Sequence, residues 1–144
     1  MNILVTGAGG GVGQGVIKSL KLIKDIDIKI VAADMSELGA GLYAADVAYL
    51  VENCDSDKYL ETLKKIFKKE SIDFYIPGTD VELKFCSKNK KLIKDEFNVH
   101  TVISSIEVID ICDDKFKTSS FLKKHGFNYP KTTYLKDIDI KNTK

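Results

Sequence analysis

Five of the ten glycines crowd into one stretch, Gly7-Ala8-Gly9-Gly10-Gly11-Val12-Gly13, directly behind the apolar run Asn2–Thr6. A glycine-rich turn between a strand and a helix does one kind of chemistry well. It points unpaired backbone N–H groups at an anion, where the helix macrodipole also favours negative charge. Without Cβ atoms the main chain adopts positive φ freely, and a phosphate can approach it closely. The dinucleotide pattern GxGxxG fails because Val12 holds its last position, whereas GxxGxxG fits through Gly7, Gly10 and Gly13. No Gly-Lys pair occurs, which excludes a P-loop. The same glycines also serve a structural end, a tight turn with close helix–sheet packing, and the pattern leaves both readings open. On either, Gly10→Val is expected to disturb the turn and destabilise the domain.

Other residues fall where a ligand would be handled. Asp34 ends the second apolar run, Ile28–Asp34, at the distance beyond the loop where a Rossmann domain binds the ribose of NAD. It equally suits an acidic strand end capping the next loop. The fourth run closes in Ile76-Pro77-Gly78-Thr79-Asp80-Val81-Glu82. In a doubly wound sheet of order 3-2-1-4-5, strands one and four are neighbours and a crevice opens at their carboxyl ends. Thr79, Asp80 and Glu82 should therefore face the glycine loop, where a small polar ligand would sit. The alternative is local: Thr79 or Asp80 caps the following helix and Glu82 favours its dipole. Neither His100 nor His125 has a partner at metal spacing and HExxH is absent, so no metal site is expected.

The 144 residues suffice for one domain, or one with a short extension. With 44% hydrophobic residues, 22 basic against 21 acidic, the chain is neither a disordered tail nor a polyanion binder acting through bulk charge. Every basic residue is lysine, so no arginine fork serves phosphate, carboxylate or guanine, and no nucleic-acid partner is expected. No apolar stretch is long enough to span a membrane, and the N-terminus lacks the features of a signal peptide. Cys54, Cys86 and Cys112 are widely spaced without CxxC, and read as reduced, mostly buried residues of a soluble cytoplasmic protein.

The elements that must position these residues alternate. Strands are expected at Asn2–Thr6, Ile28–Asp34, Val47–Val51, Ile72–Ile76 and Val99–Ile103. Helices are expected from Val12, behind the caps offered by Asp55-Ser56-Asp57, over Val81 to about Lys94, behind a Ser104/Glu107 capping box, and from Asp113-Asp114 to Gly126. This is a Rossmann-like α/β fold with a doubly wound parallel sheet of about five strands, order 3-2-1-4-5. The tail Lys131–Lys144 is polar and lysine-rich, and reads as a linker.

The C-terminal end carries the more specific signal. Asp113-Asp114-Lys115, then Leu122-Lys123-Lys124-His125-Gly126, then Pro130-Lys131-Thr132, resembles the start of the ATP-grasp fold, whose pattern runs Asp-Lys, Leu-Lys-Lys-x-Gly, Pro-x-Thr. Val5-Thr6-Gly7 through Gly15, Ala33-Asp34, Ala45-Asp46, Ile76-Pro77, Asp80 and Glu82 resemble the domain that precedes it. Together they look like the N-terminal (pre-ATP-grasp) domain of a carbamoyl-phosphate-synthase-like ATP-grasp protein, residues 1–112, with 113–144 leading into an ATP-grasp domain in cis.

The resemblance implies an ATP-dependent ligase that joins a small-molecule carboxylate to an amine through an acyl phosphate, with Mg²⁺ on the phosphates. It also implies that Lys115 contacts ATP. One residue-level observation agrees: a lysine in a first helical turn opposes the macrodipole, although a solvated surface lysine remains the alternative. Gly7, Gly9, Gly10, Gly11, Gly13, Asp34, Thr79, Asp80 and Glu82 would bound the substrate or anion cleft. The two ATP-grasp lobes are expected in a continuation of about 150–250 residues. The chain alone is then expected to bind no cofactor tightly, to lack ligase activity, and to pair artificially as a homodimer through the face the lobes would cover. Two other readings differ in class. A short-chain dehydrogenase or epimerase would use the glycines and Asp34 for NAD, but needs a tyrosine followed four residues on by lysine, which none of the six tyrosines has. A non-catalytic nucleotide-binding or docking module is the third.

Overall fold

Each of the five apolar runs becomes a strand of one parallel sheet, ordered β3-β2-β1-β4-β5 as the sequence leads one to expect. The computed structural model describes residues 1–138 and divides into two compact units, Met1–Ser104 and a second that begins at Ser105. In the first unit β1 (Asn2–Val5) lies between β2 (Lys29–Asp34) and β4 (Phe74–Ile76). β3 (Val47–Leu50) and β5 (His100–Thr101) form the edges. In register, Val5 pairs with Ala32 on one side and Ile76 on the other.

Alternation along β1 divides the core in two. Leu4 joins Val31, Tyr75 and Val99 beneath Leu63, Ile66, Phe67 and Ile93 of helices α2 (Tyr59–Glu70) and α3 (Asp80–Phe97). Ile3 and Val5 face the other way, with Ile30 and Ala32, onto Ile17 of α1 (Gly11–Leu22) and Leu42 of a 3-10 helix, Ala40–Ala44. Burial on both faces explains why the central strands read as unbroken apolar runs.

Several helix starts differ from the sequence expectation. α2 begins at Tyr59 with Lys58 at its N-cap, and no side chain of Asp55, Ser56 or Asp57 caps it; Ser56 Oγ instead accepts from the Lys58 N–H at 3.3 Å. α4 (Ile106–Cys112) has Ser105, not Ser104, at its N-cap, so Glu107 falls one position short of closing a capping box. α5 (Lys115–Lys124) is capped as expected: Asp114 Oδ1 accepts from the N–H groups of Phe116 (2.8 Å) and Lys117 (3.0 Å). Gly126 follows it at φ +75. The expected linker holds a short 3-10 helix, Leu135–Asp137, and its residues 139–144 lie outside the described residues. Among the described residues no helix is long and apolar enough to cross a membrane. Of the cysteines, all free, only Cys86 is buried; Cys54 is partly exposed and Cys112 exposed.

Candidate functional site

The loop after β1 is shaped by three of its glycines more than by the rest. Gly7 has φ +58, and a Cβ there would lie 2.3 Å from Thr79 Cγ2. A Cβ on Gly13 would lie 2.3 Å from the Gly7 carbonyl oxygen and 2.8 Å from Ala8 Cα, both main-chain atoms that cannot give way. Gly10, singled out from the sequence, is freer. It takes the N-cap of α1 in an extended conformation, and an added Cβ would meet only the Gly7 oxygen, at 3.4 Å. Around Gly11 no atom lies within 4 Å of such a Cβ. A Cβ on Gly9 would lie 2.8 Å from Gly39 Cα, so the loop divides into a packed part (Gly7, Gly9, Gly13) and an open part at the helix N-terminus (Gly10, Gly11).

Asp34 ties this loop to β2. Its Oδ2 accepts from the Gly9 N–H at 2.7 Å and its Oδ1 from the Ser36 N–H at 2.9 Å. Both carboxylate oxygens therefore already hold the protein's own backbone, the local role left open by the sequence.

Across the sheet's carboxyl edge, Thr79 and Glu82 have the spacing of a capping box and do not form one. Thr79 sits at the N-cap of α3 without a side-chain cap bond. Its hydroxyl donates instead to Glu82 Oε2 at 2.7 Å, and Glu82 Oε1 accepts from the Tyr59 hydroxyl. Tyr59 is fully buried, and a tyrosine hydroxyl in such a place needs a partner. Its oxygen also lies 3.4 Å from that of Tyr75, which Cys86 Sγ meets at 3.2 Å and Thr6 Oγ1 at 3.4 Å. Burial pushes the Tyr59 and Tyr75 phenols well above their ordinary range, and the Cys86 thiol up to about 12. These groups stay protonated at neutral pH and donate. Asp80 opens the same helix but is exposed.

These residues border a cleft of about 160 Å³ at the carboxyl ends of the strands. Gly7, Asp34, Thr79 and Glu82 line it; Gly9, Gly10, Gly11, Gly13 and Asp80 do not. Lys115 is the first residue of α5 in the second unit, where its side chain is exposed. The sequence reading missed Glu52, Asn53, Cys54 and Tyr59, which also line the cleft. A signal existed. The three residues from Glu52 follow the third strand, and every parallel strand delivers its carboxyl end to the same crevice. Among the described residues no three of His, Cys, Asp or Glu are grouped to hold a metal ion.

A family model described as PylC-like, N-terminal domain matches residues 3–103. No curated protein matches the sequence. Among solved structures, an N5-carboxyaminoimidazole synthetase from Staphylococcus aureus complexed with ADP superimposes with TM-score 0.61 at 20% identity, covering 87% of this chain and 30% of that one. An L-amino acid ligase from Bacillus licheniformis gives 0.61 at 14% identity over 96% of this chain and 34% of its own. The biotin carboxylase subunit of a pyruvate carboxylase gives 0.58 at 20% identity, over 87% and 27%. At these identities the likeness establishes the fold, and the chain spans about a third of the length of the structures it matches. The N-terminal-domain family model agrees with the N-terminal-domain resemblance read from the sequence.

Proposed function

From the premise that this chain belongs to the PylC-like N-terminal domain family, we propose that it is the substrate-side domain of an ATP-grasp carboxylate–amine ligase. The observation that carries the reading is the match of an N-terminal-domain family model to residues 3–103, nearly the whole of the first compact unit. The parent protein would activate a small carboxylate as an acyl phosphate and let an amine attack it, carbamoyl phosphate synthesis being one form of such chemistry.

The first unit alone does not suit a nucleotide. Its cleft is lined by Asp34, Glu52 and Glu82 and by no lysine or histidine, so a triphosphate would meet like charge. ATP and Mg²⁺ therefore belong to ATP-grasp lobes supplied in cis beyond residues 1–112, with Lys115 reaching the nucleotide. On this reading the chain by itself is inactive, works in the cytoplasm as part of a longer protein, and has small molecules as its partners.

The experiment is calorimetry on the 144-residue chain with ATP–Mg²⁺ and with NAD, alongside phosphate release by the parent protein. Neither ligand should bind the chain tightly, and release should require a carboxylate and an amine together. Lys115→Ala should lower that release while leaving the melting temperature in place, as expected for an exposed side chain. Tight NAD binding would overturn the proposal in favour of a dehydrogenase-like domain.

A further inference from the structure

The two edges of the sheet are finished differently. β5 offers only two residues, His100–Thr101, whereas β3 runs for four, Val47–Leu50. The Val51 N–H donates to the Asp34 carbonyl at 3.0 Å. Strand main chain alternates, so Val47 and Tyr49 also turn inward to β2, and the N–H and C=O groups of Ala48 and Leu50 point out of the sheet. No strand takes them up among the described residues. The flanks of this edge differ in chemistry. On one, Leu42 and Tyr43 of the 3-10 helix form a shallow groove with Ala48 and Leu50, and Glu37 stands beside it. Tyr43 and Leu50 are 79% and 58% exposed. On the other flank stands α2. Lys69 Nζ lies 5.1 Å from the centre of the Tyr49 ring, and Lys58 and Lys65 are within electrostatic reach of Glu52, two residues past the strand. All three lysines are exposed, and none has an ion pair among the described residues.

We propose that the open edge of β3 docks an extended segment of a partner protein as a further strand, its alternate residues apolar toward the groove and acidic toward Lys58, Lys65 and Lys69. An added strand gains main-chain hydrogen bonds from Ala48 and Leu50, and its period of two sends successive side chains to opposite flanks. Apolar side chains cover Tyr43 and Leu50 without setting a charge against Glu37. Carboxylates on the other flank meet three lysines. A second copy of the chain is the poorer occupant. Two β3 edges pair antiparallel about a two-fold axis normal to the sheet, which leaves both α2 helices on the same side and sets these lysines against their own counterparts. The lysines therefore guard the edge against itself and select an acidic strand. Strand addition needs no ligase activity, so failure of either reading leaves the other standing.

The test is a titration of the ¹⁵N-labelled 144-residue chain with blocked heptapeptides at constant ionic strength. One alternates valine and aspartate, one has the same residues with the aspartates grouped at one end, and one alternates valine and lysine. The first should shift the amides of Ala48, Leu50 and Lys69 saturably, and the other two should not. Lys65→Glu combined with Lys69→Glu changes two exposed side chains; it should weaken the alternating aspartate peptide roughly tenfold or more and admit the lysine peptide. Ala48→Pro removes a donor that faces outward, leaves the ladder to β2 intact and should abolish binding. The amides of Leu63 and Tyr75 report whether that variant is folded; if it is not, the charge reversal decides. Grouped aspartates that bind as well as alternating ones, shifts confined to the lysines of α2, no saturable shift, or unchanged affinity in the charge-reversed protein would each overturn the proposal. So would a dimer in sedimentation whose interface amides are those of Ala48 and Leu50, which assigns the edge to a second copy.

Discussion

Two tyrosine–glutamate pairs sit at opposite ends of the sheet and handle a carboxylate in opposite ways. At the amino end, Glu70 accepts from the Tyr49 hydroxyl and pairs with Lys29 Nζ at 2.7 Å. It is the last residue of α2, where the helix dipole disfavours a negative charge, so a cation has to compensate. At the carboxyl end, Glu82 accepts from Tyr59 and from Thr79 and has no ion pair among the described residues. It lies in the first turn of α3, where the dipole favours it. The lesson concerns location. A carboxylate at a helix N-terminus can be satisfied by neutral hydroxyls, and only that arrangement leaves a cleft lined with negative charge and free of lysine.

The largest expected effect separates the two pairs directly. Tyr59→Phe removes a donor from a buried carboxylate and should cost about 2 kcal/mol, measured as a shift in the urea midpoint. Tyr49→Phe should cost less than about 1 kcal/mol, because Glu70 keeps Lys29. Equal losses would break the contrast.

The next effect is a pH limb that belongs to the carboxyl end. Burial raises the phenols of Tyr59 and Tyr75 above their ordinary 10.0, and the thiol of Cys86 from 9.0 to about 12. Folded protein thus keeps protons that the unfolded chain sheds, so this stabilisation is complete below the unfolded values and declines as pH rises past them. Urea midpoints should fall above pH 9, and Cys86→Ala should flatten the first part of that fall. A midpoint that holds constant through the thiol and phenol range would show that the three groups are not buried together.

Much of the fold was legible because its signals are local. Each apolar run became a strand, and the sheet order followed from the alternation of strand and helix. The site was legible only in part, for the opposite reason. Asp34 and Thr79 were found by position, but what their side chains touch depends on distant partners: Gly9 for one, Glu82 turned toward Tyr59 for the other. The Thr79-x-x-Glu82 spacing pointed to a cap, and a tertiary contact overrode it. Glu52 and Tyr59 escaped notice because neither lies in a motif; a carboxylate after an edge strand acquires meaning only once the strand ends are assembled. The glycine loop misled more subtly. Five glycines look interchangeable in a sequence, yet steric need falls on Gly7, Gly9 and Gly13, where a Cβ would come within 2.3 Å, 2.8 Å and 2.3 Å of other atoms.

The smallest expected effect sharpens the comparison through the amino end. Lys29, first among the causes, and then Tyr49 hold the Glu70 carboxyl below its ordinary value of 4.5. Its contribution is therefore present above the unfolded pKa and is lost as pH falls through the lower folded one. Lys29 is 43% exposed, so solvent screens the pair and Lys29→Met should cost only about 0.5 kcal/mol at neutral pH. That difference between wild type and variant should shrink as pH drops below 4.5 and should also shrink in high salt. The Tyr59→Phe loss should survive high salt, since a neutral hydroxyl donating to a buried carboxylate has no partner charge for ions to screen. If salt erased both losses alike, Glu82 would depend on screened charge as the Lys29–Glu70 pair does, and the contrast between the two ends of the sheet would fall.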